Sequence, residues 1–411
     1  MLMRVLFLHQ NWPGQFSHLA RALAQEGQEV RALAISPRQT IAGVDVVRYA
    51  PARNSTRGIA PWAIDFETKT IRAEASARKM AELDADGFVP DIVVGHHGWG
   101  ETWLVKDVWP DVPLLCLKEF YYGADLSFDP EFPHPGRDGA YRFRLKNFGL
   151  LPALDTMDWG MSPTAWQRAQ FPERYRSKMS VAFEGIDANV ASPKPIEGLT
   201  LGTPPVTLGA GDEIVSFVSR ALEPYRGYHS FMRALPRLLE LRPRARVVIV
   251  GGDANGYGAA PSTGTWREKY LAEVRDRIDL SRVHFVGKVA YGELIDLFRI
   301  TSCHVYLTYP FVLSWSMLEA MSTGALVVGS RTGPVEDVLV DGDNGLLVDF
   351  FDPDEIAERV AAVLAEPGQF AGVRTRARQT VLDRFALDRC VPKQVALVHA
   401  VARGELPPVG F

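Results

Sequence analysis

Cysteine is nearly absent: Cys116, Cys303 and Cys390 are odd in number and far apart. With neither a C-x-x-C pair nor metal-ligand spacing, a disulfide scaffold and a zinc module are excluded, and a reducing cytoplasm is the expected setting. Long apolar runs are missing as well. The start, MLMRVLFLHQ, reaches Asn11, Trp12, Pro13 and Gly14 before it is long enough for a signal peptide or a span, and no later run approaches a spanning length. Membrane contact is therefore expected only in peripheral form, at the inner face. Charge of one sign is lacking too, since 45 Lys+Arg against 49 Asp+Glu leave a net −4. No global field draws such a chain onto nucleic acid, and any polyanion must be held locally. Nor does a G-x-G-x-x-G follow the first apolar segment, where VLFLHQNWPGQ offers one glycine, which argues against a dehydrogenase.

What is present is a globular composition, 47% apolar and 23% charged over 411 residues. That length is too great for one ordinary core and suits two domains of somewhat under about 200 residues each. Arg4-Val-Leu-Phe-Leu8 is a continuous apolar run, as expected of a strand covered on both faces, and NWPGQ supplies a turn. QFSHLARALAQEG then places Phe16, Leu19, Ala20, Leu23 and Ala24 on one helical face and stops at Gly27, before a second apolar strand, Val30 to Ile35. The same βαβ grammar continues through DVVRY, DIVVG and PLLCL, and restarts with EIVSFVS, ARVVIVG, VHFVG, CHVYLTY, ALVVGS and GLLVD. Residues 191–212 gain Pro and Gly and lose periodicity, and are read as a linker between a domain 1–190 and a domain 213–386. The closing helical segment, about 387–411, is more than the second domain needs and is expected to cross back to the first. In parallel sheets of this kind, ligands sit beyond the carboxyl ends of the strands.

Two segments draw attention at such ends. Arg220 follows a strand and Arg226 lies just before Gly227 and a helix, where two guanidinium forks and a helix N-terminus suit a diphosphate; two surface arginines is the alternative. Ser314-Trp315-Ser316 opens a second helix that carries Glu319. Hydroxyls and free N–H groups there favour an anion, and the carboxylate can accept two vicinal ribose hydroxyls; alternatively Ser316 and Glu319 form a capping box. Gly14, in the first turn, lets the backbone approach donor phosphates or acceptor. His97, at the end of DIVVGHH, is a catalytic candidate whose alternative is a buried, hydrogen-bonded histidine. Asp341-Gly-Asp343 and Asp352-Pro-Asp354 resemble metal motifs but sit in a turn and at a helix cap, and are read as structural.

FEGID, VSRALEPYRGYHSFMRAL, VVIVGG, VHFVGKV and YPFVLSWSMLEAMSTGALVVGSRTGPVEDVLVDGDNGLLV resemble, in this order, the donor-binding half of retaining glycosyltransferases of family 4. GQFSHLARALAQEGQEV, DIVVGHH and PLLCLKEFYYG resemble the N-terminal half more weakly. The resemblance implies an α/β, GT-B fold, two Rossmann-like parallel-sheet domains facing across a cleft. It implies that Arg220 and Arg226 hold the donor diphosphate and aid its departure, Glu319 the ribose, and Ser314, Trp315 and Ser316 the distal phosphate. Gly251, Gly252 and Lys288 fall where the base binds. Phe311 stands in place of the first glutamate of a pair separated by seven residues, and Glu119 aligns with a histidine near the reacting carbon.

The implied activity is metal-independent, retaining transfer from a nucleotide-diphosphate sugar to a sugar, lipid-linked or small-molecule acceptor, in polysaccharide or glycoconjugate synthesis of bacterial type. The nucleotide sugar is a co-substrate, and no cofactor, metal or nucleic acid is expected. A nucleotide-sugar epimerase of related fold and a non-catalytic nucleotide-sugar binding module remain as alternatives.

Overall fold

A computed structural model describes residues 2–123, 128–132, 136–254 and 256–409, with side chains from 141 onward in the helix that begins at Gly136. The chain divides into two units, Met1–Gly185 with Leu387–Phe411, and Ile186–Ala386.

The first unit is built on seven parallel strands: β1 (Arg4–Leu8), β2 (Glu29–Ala34), β3 (Val44–Arg48), β4 (Ile92–His96), β5 (Leu114–Leu117), β6 (Trp159–Ser162) and β7 (Met179–Val181). Their order is β3-β2-β1-β4-β5-β6-β7. The apolar runs follow from burial on both faces: Val5 and Phe7 enter one core cluster while Leu6 and Leu8 enter another, and Ile92 and Val94 part from Val93 in the same way. The first cluster also takes Val395, Leu397, Val398 and Val401 from the helix Leu387–Ala402. Gln394 of that helix donates to the Phe183 carbonyl at 2.5 Å. These contacts place the C-terminal segment in the first unit.

The second unit begins with a hairpin, β8 (Gly198–Leu201) and β9 (Val206–Gly209). Six parallel strands follow: β10 (Ile214–Ala221), β11 (Arg246–Gly252), β12 (Val283–Gly287), β13 (Cys303–Tyr306), β14 (Val327–Ser330) and β15 (Leu346–Val348), in the order β12-β11-β10-β13-β14-β15. Residues 191–212 are thus not a linker. Leu201 and Leu208 pack with Ile214, Val248, Val250 and Val286, so the hairpin is part of the second core. Its Pro and Gly belong to the turn, where Gly202 has φ 79°.

In both sheets the chain winds outward in two directions from the first strand, leaving a switch point between β1 and β4 and between β10 and β13. No helix among the described residues is long and apolar enough to cross a membrane.

The hairpin's place in the core can be measured. Leu208→Ala should lower the unfolding free energy by roughly 2–5 kcal/mol, the usual cost of emptying a buried leucine site, in denaturant titration of the intact chain. A linker residue would cost nearly nothing.

Candidate active site

At the first switch point His9 follows β1, His96 ends β4 and Glu119 lies just past β5. His9 Nδ1 accepts from the Asn11 N–H at 3.1 Å, which leaves Nε2–H to donate to Gln15 Oε1 at 3.2 Å. Gln15 Nε2 donates to Glu119 Oε1 at 2.5 Å. On the other side His96 Nδ1 accepts from the Gly98 N–H at 3.0 Å, so its Nε2–H donates to Glu119 Oε2 at 2.9 Å. Gln167 fixes the Glu119 backbone by donating to its carbonyl at 2.8 Å. Two of these donors, Gln15 Nε2 and His96 Nε2, reach the carboxylate itself.

Burial pushes the Glu119 carboxyl up, but His96, by charge and hydrogen bond, together with Gln15 and His9, outweighs it and holds the group below the usual range. Its side chain keeps 21% of its exposure, so this is an ionised carboxylate with one side open. Burial, reinforced by the neighbouring His96, holds His9 down at about 4, against Glu119, Gln15 and Asn11, which act in the opposite direction.

His97 is not part of this group. Its Nδ1 lies 2.8 Å from the Leu117 carbonyl and its Nε2 3.3 Å from that of Phe120, both buried. The His97 ring stacks on that of His96, with centroids 5.7 Å apart, but both of its nitrogens are taken up by backbone carbonyls, whereas His96 reaches Glu119. Gly14 bears on the site through His9. It has φ 53°, and a Cβ there would lie 2.3 Å from His9 Nε2, so glycine is needed for the imidazole to occupy its place.

At the second switch point Arg226 is buried. Its Nη1 donates to the Tyr306 hydroxyl at 3.2 Å, Thr308 Oγ1 at 3.0 Å and the Val312 carbonyl at 2.9 Å. Tyr306 ends β13, and its hydroxyl also accepts from the Ser314 N–H at 2.8 Å, tying the guanidinium to the start of the helix Trp315–Thr323. Arg220, on β10, is exposed; its Cζ lies 5.0 Å from the Tyr257 ring centroid, and Arg226 Cζ lies 5.2 Å from the same centroid.

Ser314, not Ser316, caps that helix, taking the Ser316 N–H and lying 2.9 Å from the Ser316 hydroxyl. Trp315 is exposed beside them. Glu319 does not turn back to form a capping box: its Oε1 accepts the Tyr291 hydroxyl at 2.9 Å. Burial pushes its carboxyl up, and the Tyr291 bond offsets part of that.

Gly251 is explained by packing within the sheet, since a Cβ there would meet the Ser219 carbonyl at 2.6 Å and Leu222 Cδ2 at 2.7 Å. Gly252 and Lys288 are neighbours: a Cβ on Gly252 would lie 2.8 Å from Lys288 Cε. Phe311 keeps only 7% of its exposure and meets Tyr257 and Tyr225 edge-on, with centroids 4.8 and 5.7 Å away. The D-x-D carboxylates have structural partners: Asp341 accepts from the Leu347 N–H and Arg359, and Asp352 caps the helix Pro353–Ala365.

Sequence reasoning missed His9, Gln15, His96, Tyr257 and Tyr291. His9 and His96 each stand at the end of an apolar strand flanking a switch point, which was a usable signal. Gln15, Tyr257 and Tyr291 sit in turns or helix starts with no periodicity to mark them.

Two doubly wound sheets, each with polar groups gathered at its switch point, define a GT-B glycosyltransferase architecture. The comparisons agree. Residues 26–191 match the glycosyl transferase family 4 group and residues 195–380 the glycosyl transferases group 1. The chain is a glycosyltransferase of the family 4 type. It is 24% identical over 349 residues to a D-inositol 3-phosphate glycosyltransferase of Corynebacterium efficiens, covering 83% of this chain and 79% of the relative. To that of Mycobacterium avium it is 27% identical over 352 residues, 82% and 74% of the two chains. Its fold is similar to Anabaena HepE in complex with UDP and glucose, with TM-score 0.67, 16% or less identity, and 97% and 100% coverage. It is also similar to an α,α-trehalose-phosphate synthase of Burkholderia vietnamiensis, with TM-score 0.71, 12% identity, and 98% and 99% coverage.

The depressed His9 makes a prediction about acid. Its folded pKa of about 4 lies below the ordinary 6.5, so the unfolded chain takes up the proton first. The stability this group contributes is present above 6.5 and is lost as pH falls toward 4, on the order of 3 kcal/mol at 1.36 kcal/mol per unit. His9→Gln should flatten the pH dependence of unfolding free energy between pH 7 and pH 4 by that order, read by denaturant titration at each pH.

Proposed function

We propose that the chain is a retaining, metal-independent glycosyltransferase that moves a sugar from a nucleoside-diphosphate sugar to an acceptor hydroxyl. The observation that carries this reading is the linkage of buried Arg226 to a helix N-terminus through the Tyr306 hydroxyl, with Glu319 on the same helix. A guanidinium and a helix N-terminus held together in this way suit an anion whose charge grows as the glycosidic bond to phosphate breaks. Arg220 is the second cation for the diphosphate, and Ser314, Trp315 and Ser316 border its distal phosphate. Glu319 accepts ribose hydroxyls, with the base beside Gly252 and Lys288.

In the first unit Glu119, kept ionised by His96 and Gln15, is the group offered to the acceptor. The bond from the anomeric carbon to the diphosphate oxygen breaks, the acceptor oxygen bonds to the same face of that carbon, and the departing phosphate oxygen takes the acceptor's proton. The inositol phosphate acceptors in the names of the relatives, and the UDP complexes of HepE, support a polyol or sugar acceptor and a uridine donor as first choices. A lipid-linked acceptor reached by peripheral membrane contact, in glycoconjugate synthesis at the cytoplasmic face, fits the same chemistry.

Purified protein incubated with UDP-glucose and other nucleotide sugars, with and without inositol phosphates and simple sugars, should release nucleoside diphosphate faster when acceptor is present. The product should keep the donor's anomeric configuration, and EDTA should leave the initial rate unchanged. Isomerised donor would make the chain an epimerase, and saturable binding without turnover of any donor would make it a binding module. In the same assay Arg226→Ala should weaken binding of the free diphosphate by about 1.5–3 kcal/mol, as for a lost charge-assisted bond. Calorimetry reads that loss directly, and an unchanged affinity removes Arg226 from the site.

A further inference from the structure

Two tyrosines lie on the groups assigned above to the donor. One ring, Tyr257, is within 5.0 Å of Arg220 Cζ and 5.2 Å of Arg226 Cζ, measured to its centroid. The other, Tyr291, gives its hydroxyl to Glu319 Oε1 at 2.9 Å. An aromatic face is the negative end of the ring's quadrupole, so Tyr257 offers both guanidinium groups a weak substitute for an anion. A phenol donating to Glu319 does for that carboxylate what a ribose hydroxyl would do. We propose that Tyr257 and Tyr291 mask the donor site, each occupying the group that a nucleoside diphosphate must reach, and that the nucleotide binds by displacing both.

The way each tyrosine is anchored permits that exchange. Tyr257 belongs to the connection between β11 and the helix Trp266–Val274, and its backbone is anchored independently of the ring, which rests against Phe311. Glu223, buried at 1% exposure, accepts the Tyr257 N–H at 2.9 and 3.0 Å and the Gly258 N–H at 3.0 Å. A Cβ on Gly256 would lie 2.1 Å from Glu223 Oε1, so glycine is what lets the carboxylate come so close. Rotation about the Tyr257 side-chain bonds breaks none of these backbone contacts, and the residue is 42% exposed, with solvent for the ring to turn into. Tyr291 is the first residue of the helix Tyr291–Ile300 and half exposed, so its swing gives up the bond to Glu319 without unwinding the helix.

The inference rests on the donor-site reading and adds a consequence to it. A nucleotide that must first displace two side chains binds with an affinity reduced by the masked fraction, and removing a mask restores what was lost. Tyr291→Phe keeps the ring and frees Glu319. Tyr257→Ala removes the ring and keeps the backbone bonds to Glu223.

Titration of UDP, and of GDP and ADP in parallel, into the full chain by calorimetry tests the proposal. Each variant should bind the preferred nucleotide about three- to tenfold more tightly than the unsubstituted chain, and the gain from Tyr291→Phe should vanish in the Glu319→Gln background. A purely structural tyrosine would lower the melting temperature without tightening nucleotide binding, and that result overturns the proposal. Weaker binding by either variant also overturns it, because the tyrosine is then a ligand contact. If the unsubstituted chain binds and Arg226→Ala weakens it while the tyrosine variants change nothing, the donor site stands and only the masking falls. If neither the unsubstituted chain nor any variant binds a nucleotide, the donor-site reading falls as well.

Discussion

The second unit is organised around a buried guanidinium whose hydrogen-bond partners are neutral. Arg226 is satisfied by two hydroxyls and a carbonyl, from Tyr306, Thr308 and Val312, which offset the loss of water but not the charge. A cation kept in that condition attracts an anion more strongly than one paired with a carboxylate. Its partners also fix the surroundings: Tyr306 carries the orientation on to Ser314 and so to the start of the helix bearing Glu319. The strand order adds the reason for the location, because the connections that leave the neighbouring strands β10 and β13 run in opposite directions and leave an opening at their carboxyl ends.

The first unit holds the opposite charge. Glu119 is a carboxylate with His96 on one oxygen and Gln15 on the other. Its ionised form is favoured, and the charge faces whatever lies on the open side. His9, too buried to take up a proton near neutrality, acts through Gln15 as an orienting group. Gly14 fits this account: its value lies in the absence of a side chain where His9 needs room.

The sheets were legible because burial on both faces writes a strand as an unbroken apolar run, and Val5 to Leu8 or Ile92 to Val94 cannot easily be read otherwise. The hairpin at 198–209 was not, because its strands are short, only partly buried, and separated by the Pro and Gly of their own turn. Its decisive residues, Leu201 and Leu208, reveal themselves only through what they pack against. Within the site, residues at strand ends were legible as a class, but the choice between His96 and His97 depends on partners distant in sequence, Glu119 for the one and the Leu117 and Phe120 carbonyls for the other. Side chains that arrive from turns, such as Gln15 and Tyr257, are placed by partners distant in sequence, Glu119 and Glu223, and no local pattern records that.

Phe311 is best understood together with Tyr257. By the resemblance it stands in place of the first of the family's paired glutamates, and its ring is nearly buried against Tyr225 and Tyr257. A carboxylate there would lie beside the ring that covers Arg220 and Arg226. It would be drawn to those guanidinium groups in competition with the diphosphate, and the aromatic enclosure would supply few donors to hold it elsewhere. An apolar ring avoids that competition and gives Tyr257 an edge to rest against. The phenylalanine and the tyrosine on the arginines are therefore one arrangement, in which position 311 adds no carboxylate to compete for the two guanidinium groups.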